Sequence, residues 1–133
     1  MHRYLEELLA LDLPRGDWAL FGSGPLLVRG WIDEVGDLDV ITRGAAWDMA
    51  KSVGVINKLE DGGQIVSIGD GVTVGRGWKY GDMSVDEMID TAEPIDGIPC
   101  VGLDHIIAYK LIADRPKDRR HLKIIEQNLG EQQ

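Results

Sequence analysis

The sequence predicts an α+β domain, a mixed β-sheet flanked by helices. Three observations carry that expectation. Helical amphipathic spacing appears near both ends of the chain. Between them, short apolar runs alternate with glycine-containing turns, as strands do. The 133 residues, with 44% apolar content, are enough for one domain around one core. That core is placed at about residues 18–126, behind an N-terminal helix at residues 2–12.

In chain order, Tyr4, Leu5, Leu8, Leu9 and Leu11 form the apolar stripe of the first helix, with Glu6 and Glu7 facing water. Pro14 and Gly16 stop it. "WALF" (18–21) is wholly apolar and reads as a buried central strand. Ser23 or Gly24 caps a short helix with Pro25 in its first turn, where a missing N–H costs nothing. "LDVIT" (38–42) is the second strand. Residues 44–54 read as a helix with Ala46, Met49, Ala50 and Val53 inward. Three short strands follow, "VINKLE", "QIVSI" and "VTV", separated by Asp61-Gly62-Gly63 and Gly69-Asp70-Gly71 turns. Ser84 and Glu87 form a capping box for a helix to about Ala92. Asp96-Gly97 turns into the strand "IPCV". Residues 103–113 form a helix with Leu103, Ile106, Ile107 and Leu111 on one face. Pro116 opens the last helix, whose face is Leu122, Ile125 and Leu129.

Composition narrows the function. There are 14 Lys plus Arg against 23 Asp plus Glu, a formal net charge of -9. Non-specific nucleic-acid binding is not expected of such a chain, because phosphate backbones demand a positive face. Cys100 is the single cysteine, which fits a reducing compartment. No apolar run approaches the roughly 20 residues that cross a bilayer. Glu6 and Glu7 interrupt any signal-peptide pattern, so a cytoplasmic location and no membrane partner are expected.

The stretch "FGSGPLLVRGWIDEVGDLDV" (21–40) holds the chemistry. Asp37 and Asp39 flank one leucine, so on a strand both carboxylates share a face while Leu38 points into the core. Such a pair repels itself unless a cation or good solvation relieves it. Mg2+ is a hard ion that takes one or two carboxylates together with phosphates and water. Gly22-Ser23 lies where a strand gives way to a helix, and glycine with free N–H groups lets a phosphate approach closely. If the two strands pair as antiparallel neighbours, the phosphate cradle and the metal carboxylates meet.

At these residues the chain resembles the nucleotidyltransferase superfamily with the polymerase-beta-like fold. Phe21-Gly22-Ser23, a spacer, and Asp37-Leu38-Asp39-Val40 carry the resemblance. "DGIPCVGLDHIIAYKLIADRPKDRRHLKII" is similar to the ending of small bacterial and archaeal members. Lys110, Lys117 and Asp118 match that ending, whereas His121 stands where an acidic residue is usual. The resemblance implies a nucleoside triphosphate held by Gly22, Ser23, Lys110 and Lys117. It implies two Mg2+ ions on Asp37 and Asp39, and transfer of a nucleotidyl group. By analogy it also suggests a protein partner, as in toxin–antitoxin pairs.

One departure bears on activity. The family's third acid sits mid-strand after a hairpin, where this chain has Val72-Thr73-Val74. Thr73 in that place is a weak ligand and no useful general base. Asp70, Asp82 and Asp86 are the acids that could substitute, though none falls in register. Transfer is therefore expected to be weak, leaving a nucleotide- or partner-binding protein as the alternative.

Several residues have plainer readings. Lys117, Arg119, Arg120 and Lys123 form a local basic cluster that could reach a nucleotide or RNA phosphate, though Arg119, Arg120 and Lys123 read better as a solvated helix face. Lys110 interrupts an apolar stripe, as either a snorkelling lysine or a ligand contact. His2, His105 and His121 lack metal-ligand spacing and read as surface residues. Cys100 reads as inert core. Trp18, Trp31 and Trp47 read as packing, with Trp78 the better candidate to stack on a base.

Overall fold

A computed structural model describes residues 1–60, 62–76 and 83–131. Its elements are α1 (Arg3–Ala10), β1 (Trp18–Phe21), α2 (Gly24–Val28), β2 (Leu38–Thr42), α3 (Gly44–Val53), β3 (Val55–Lys58), β4 (Gln64–Ile68) and β5 (Val72–Gly75). There follow α4 (Val85–Asp90), β6 (Glu93–Ile95), β7 (Ile98–Cys100), α5 (Leu103–Ala113) and α6 (Pro116–Glu131). The class is α+β, built on one mixed seven-stranded sheet in the order β3-β4-β5-β2-β1-β7-β6.

The central strands β1 and β2 are antiparallel neighbours, with Phe21 opposite Asp39. β5 runs parallel to β2 and sets Thr73 beside Asp39. β7 runs parallel to β1. Alternation along the strands builds two cores. Trp18, Leu20, Leu38, Val40 and Val74 pack on one face with Leu5 and Leu8 of α1 and Trp47 of α3. Ala19, Phe21 and Ile41 pack on the other with Met88 of α4, Ile106 of α5 and Ile125 of α6. Asp39 shares this second face, because it is the cross-strand partner of Phe21.

The structure corrects several sequence expectations. α3 buries Ala46, Trp47 and Ala50, while Met49 and Val53 are exposed. Trp47 takes the core position, packed with Ala46 and Ala50 in the cluster that holds Val66 and Val74. α5 buries Ile106, Tyr109 and Lys110 and exposes Leu111. In α1, Leu9 is exposed, and Glu7 is half-buried against Gly69. In α6, Leu129 is exposed. Strand β6 was not expected: Pro94 lies in its middle, and proline is tolerated in a sheet only at an edge. The Ser84 cap bond to the Glu87 N–H forms as expected. Asp61, Trp78 and Asp82 lie outside the described residues.

Candidate functional site

Gly22 has a φ of +64°, a left-handed conformation that glycine adopts without strain. It turns the chain sharply from β1 into α2. A Cβ at this position would lie 3.0 Å from Asp39 Oδ2, so the Gly-Ser turn is packed directly against the carboxylate. This closeness follows from the β1–β2 register, because the end of one strand abuts the start of the other.

A cleft of about 350 Å³ opens there, lined by Gly22, Ser23, Asp37, Asp39 and Lys117 among the residues singled out in the sequence. Part of its lining is cationic: Arg115 just before α6, and Lys117 and Arg120 in its first turns. His121 and Glu34 complete the polar lining. Carboxylates and guanidinium and ammonium groups therefore share one opening.

Thr73 Oγ1 donates to Asp37 Oδ2 at 2.8 Å. Thr73 thus belongs to the carboxylate group itself, through both its register with Asp39 and this bond. Burial, reinforced by the neighbouring Asp37, pushes the Asp39 carboxyl up to about 7. Such a pair fits a divalent cation, which would relieve both penalties. Among the described residues, no group of three or more His, Cys, Asp or Glu side chains is arranged to hold a metal ion.

The acids proposed as substitutes lie elsewhere. Asp70 is exposed in the β4–β5 turn and does not line the cleft. Asp86 accepts from Arg43 Nη1 at 2.9 Å, beyond the far end of β2, where Asp90 accepts from Nη2 at 2.6 Å. Asp82 falls outside the described residues.

Beneath the Gly-Ser turn is a buried polar network. Lys110 is wholly buried, and its Nζ donates to Ser23 Oγ at 3.0 Å, Asp118 Oδ1 at 3.1 Å and His121 Nδ1 at 3.0 Å. It is neither snorkelling nor a cleft-lining contact. Burial lowers the Lys110 pKa, with Asp118 pulling the other way. Asp118 also accepts from Arg115 Nε at 2.6 Å and from the Arg115 backbone N–H at 3.1 Å. Burial alone would raise Asp118, but these donors and Lys110 outweigh it and hold the carboxyl at about 2. Asp118 is therefore held as a carboxylate against Lys110.

His121 is half-buried in the site, not a surface residue. Burial, with Lys110 beside it, lowers its pKa to about 4. Its Nδ1 accepts from the Lys110 ammonium, so the neutral ring carries its proton on Nε2. Ser23 Oγ lies 3.1 Å from the same Nδ1.

Sequence reasoning missed Arg115, Glu34 and the place of His121, and preferred a solvated face for Arg120, which lines the cleft. The i, i+3 spacing of Asp118 and His121 on α6 was the available signal. Lys110 likewise falls on the Leu103–Ile106–Ile107 stripe, which marks it as inward-facing. Cys100 is buried, and burial raises its thiol to about 11, in keeping with an inert core position. No helix among the described residues is long and apolar enough to cross a membrane. In comparisons with known proteins, no family model, no curated protein and no solved structure matches this chain.

Proposed function

We propose that this cleft binds a nucleoside triphosphate through Mg2+, in the manner of a nucleotidyltransferase, and that nucleotidyl transfer by the protein is weak. The observation that carries the reading is the meeting of Gly22-Ser23 with Asp37 and Asp39 in one cleft with Arg115, Lys117 and Arg120. A triphosphate suits both halves. Lys117, Arg115 and Arg120 offer charge-assisted donors to its oxygens, and the Gly-Ser turn permits close approach. Asp37 and Asp39 are the residues to hold the metal. When bound, Mg2+ would neutralise the carboxylate pair and polarise a phosphoryl oxygen.

The chain's own groups account for the rest. Lys110 fixes Ser23 from below and so holds the turn open towards the cleft. Arg115 stays aimed by Asp118. A third carboxylate would serve as base for an acceptor hydroxyl, and the residue beside Asp39 on β5 is instead Thr73. A hydroxyl committed to Asp37 does not remove a proton at neutral pH.

A second reading, a catalytically weakened nucleotidyltransferase that acts as a binding partner, is favoured by this same threonine. Two measurements separate the readings. Calorimetry with ATP and Mg2+, with and without EDTA, tests binding. Incubation with a radiolabelled nucleoside triphosphate tests transfer. Binding with no label transferred supports the weakened protein, and equal affinity in EDTA counts against the metal.

A further inference from the structure

We propose that His121 is a ligand-binding residue of the cleft, its Nε2–H donating to a phosphate oxygen seated at the Gly22-Ser23 turn. This role rests on the reading of the cleft as a triphosphate site, and it adds a neutral donor to the cations that line it.

One buried ammonium orients two side chains. Lys110 Nζ has three protons and three partners: Ser23 Oγ at 3.0 Å, Asp118 Oδ1 at 3.1 Å and His121 Nδ1 at 3.0 Å. All three N–H groups are spent inside the network, and none is left for a ligand. Ser23 and His121 line the cleft, whereas Lys110 does not. The lysine therefore acts through the two side chains that it holds.

His121 Nδ1 has one lone pair, and the ammonium is a stronger donor to it than the Ser23 hydroxyl at 3.1 Å. The neutral ring then carries its proton on Nε2. That atom has no hydrogen-bond partner among the described residues, and the ring lines the opening, so its N–H is available there. With Nδ1 taken, the Ser23 proton is also free for a ligand. Burial and Lys110, with Lys117 and Arg120 adding to them, lower the ring's pKa to about 4 against the pull of Asp118. The ring thus stays neutral near pH 7 and keeps its lone pair for Lys110.

Charge around the ring indicates what these donors receive. Asp118 is bonded by Lys110 and also by Arg115, through Nε and Nη2. Two cations share one carboxylate, and neutral His121 supplies no second anion. Lys117 and Arg120 line the same cleft and have no ion-pair partner among the described residues. The surplus is positive, which suits an oxyanion. An acid in place of His121 would cancel part of that surplus and turn an acceptor towards the ligand. Asp37 and Asp39 offer oxygens to a metal, so the phosphate contacts fall to Ser23, His121 and the cations.

Titration calorimetry of the full chain tests this, with Mg2+-ATP and with Mg2+ and inorganic triphosphate as probes. Wild type is compared with His121→Asn and His121→Gln. An asparagine amide can place its oxygen where Nδ1 accepts from Lys110, but it does not reach the Nε2 position. A glutamine amide can place an N–H there. His121→Asn is expected to weaken both probes by about 10-fold or more, the loss of a hydrogen bond to a charged group. His121→Gln is expected to recover most of that loss, and thermal melts show whether each variant is folded. An Asn variant that binds both probes as tightly as wild type would overturn the assignment. So would a Gln variant as weak as the Asn variant, which would put the residue's role in holding Lys110. A loss seen with ATP but not with inorganic triphosphate would place His121 on the nucleoside and overturn it as well. A wild type that binds neither probe would instead overturn the reading of the cleft, and this role with it.

Discussion

Asp39 stands at the centre of the electrostatics. Its carboxyl is pushed from an ordinary 3.8 to about 7 by burial and by Asp37. Mg2+-dependent binding should therefore weaken as pH falls through about 7, because Asp39 takes up a proton in place of the metal. The stability sign is opposite to that of a salt-bridged acid. Between 3.8 and about 7 the folded state binds the extra proton, so metal-free stability falls as pH rises through that window. Asp39→Asn should flatten this slope and raise the metal-free melting temperature at pH 8, an effect worth a few kcal/mol at most. Thermal melts from pH 5 to 8 in EDTA check both signs. Thr73→Asp should tighten Mg2+ binding and raise transfer by as much as the ~10²–10⁴ typical of a general base. Asp70→Asn should change neither, because Asp70 does not line the cleft. An existing transfer activity lost in Asp70→Asn would place the third acid there instead. At this scale Asp37, Asp39, Gly22 and Ser23 were legible in the sequence, since close spacing and strand alternation fix their company. Arg115 and His121 were not, because their place in the cleft depends on how α6 docks.

At the scale of elements, α5 and α6 are tied together by the Lys110–Asp118 pair at 3.1 Å, with both side chains wholly buried. Removing one buried ionic partner strands the other. Asp118→Ala leaves a buried ammonium and should cost about 3 kcal/mol or more. Lys110→Met should cost less, because Arg115 still satisfies Asp118. Urea unfolding of the two variants orders them, and a larger loss for Lys110→Met would contradict this network. Acid should uncouple the helices too. Asp118's contribution is present above 3.8 and disappears as pH falls towards about 2. Helices α3, α5 and α6 could be read from periodicity and from Pro116. Their buried faces could be read only in part. On α3, Trp47 is buried with Ala46 and Ala50 while Met49 and Val53 are exposed, because the side of the helix that meets the sheet is set by how the helix docks and not by its period alone. β6 was hidden by Pro94, which argues against a strand until the sheet edge is known.

For the whole molecule, the sheet order brings one turn, two acids and one helix start to a single opening. β1 and β2 as antiparallel neighbours supply the turn and the acids. The parallel β2–β5 pair supplies Thr73. α6, on the same face as Asp39, supplies the cations. The antiparallel pairing of β1 with β2 is the arrangement the sequence analysis set as the condition for Gly22-Ser23 to meet Asp37 and Asp39. The order of the outer strands was not, since no local signal fixes which edge β3 or β6 takes. The central claim is that this opening takes a nucleoside triphosphate only together with a divalent cation. The most direct test is titration calorimetry of ATP into wild type and into Asp37→Asn/Asp39→Asn, each with Mg2+ and with EDTA. Heat of binding is expected for wild type in Mg2+ alone, with the double variant silent in both buffers and its circular dichroism unchanged. Equal affinity for ATP in EDTA, or undiminished binding by the folded double variant, would contradict the claim.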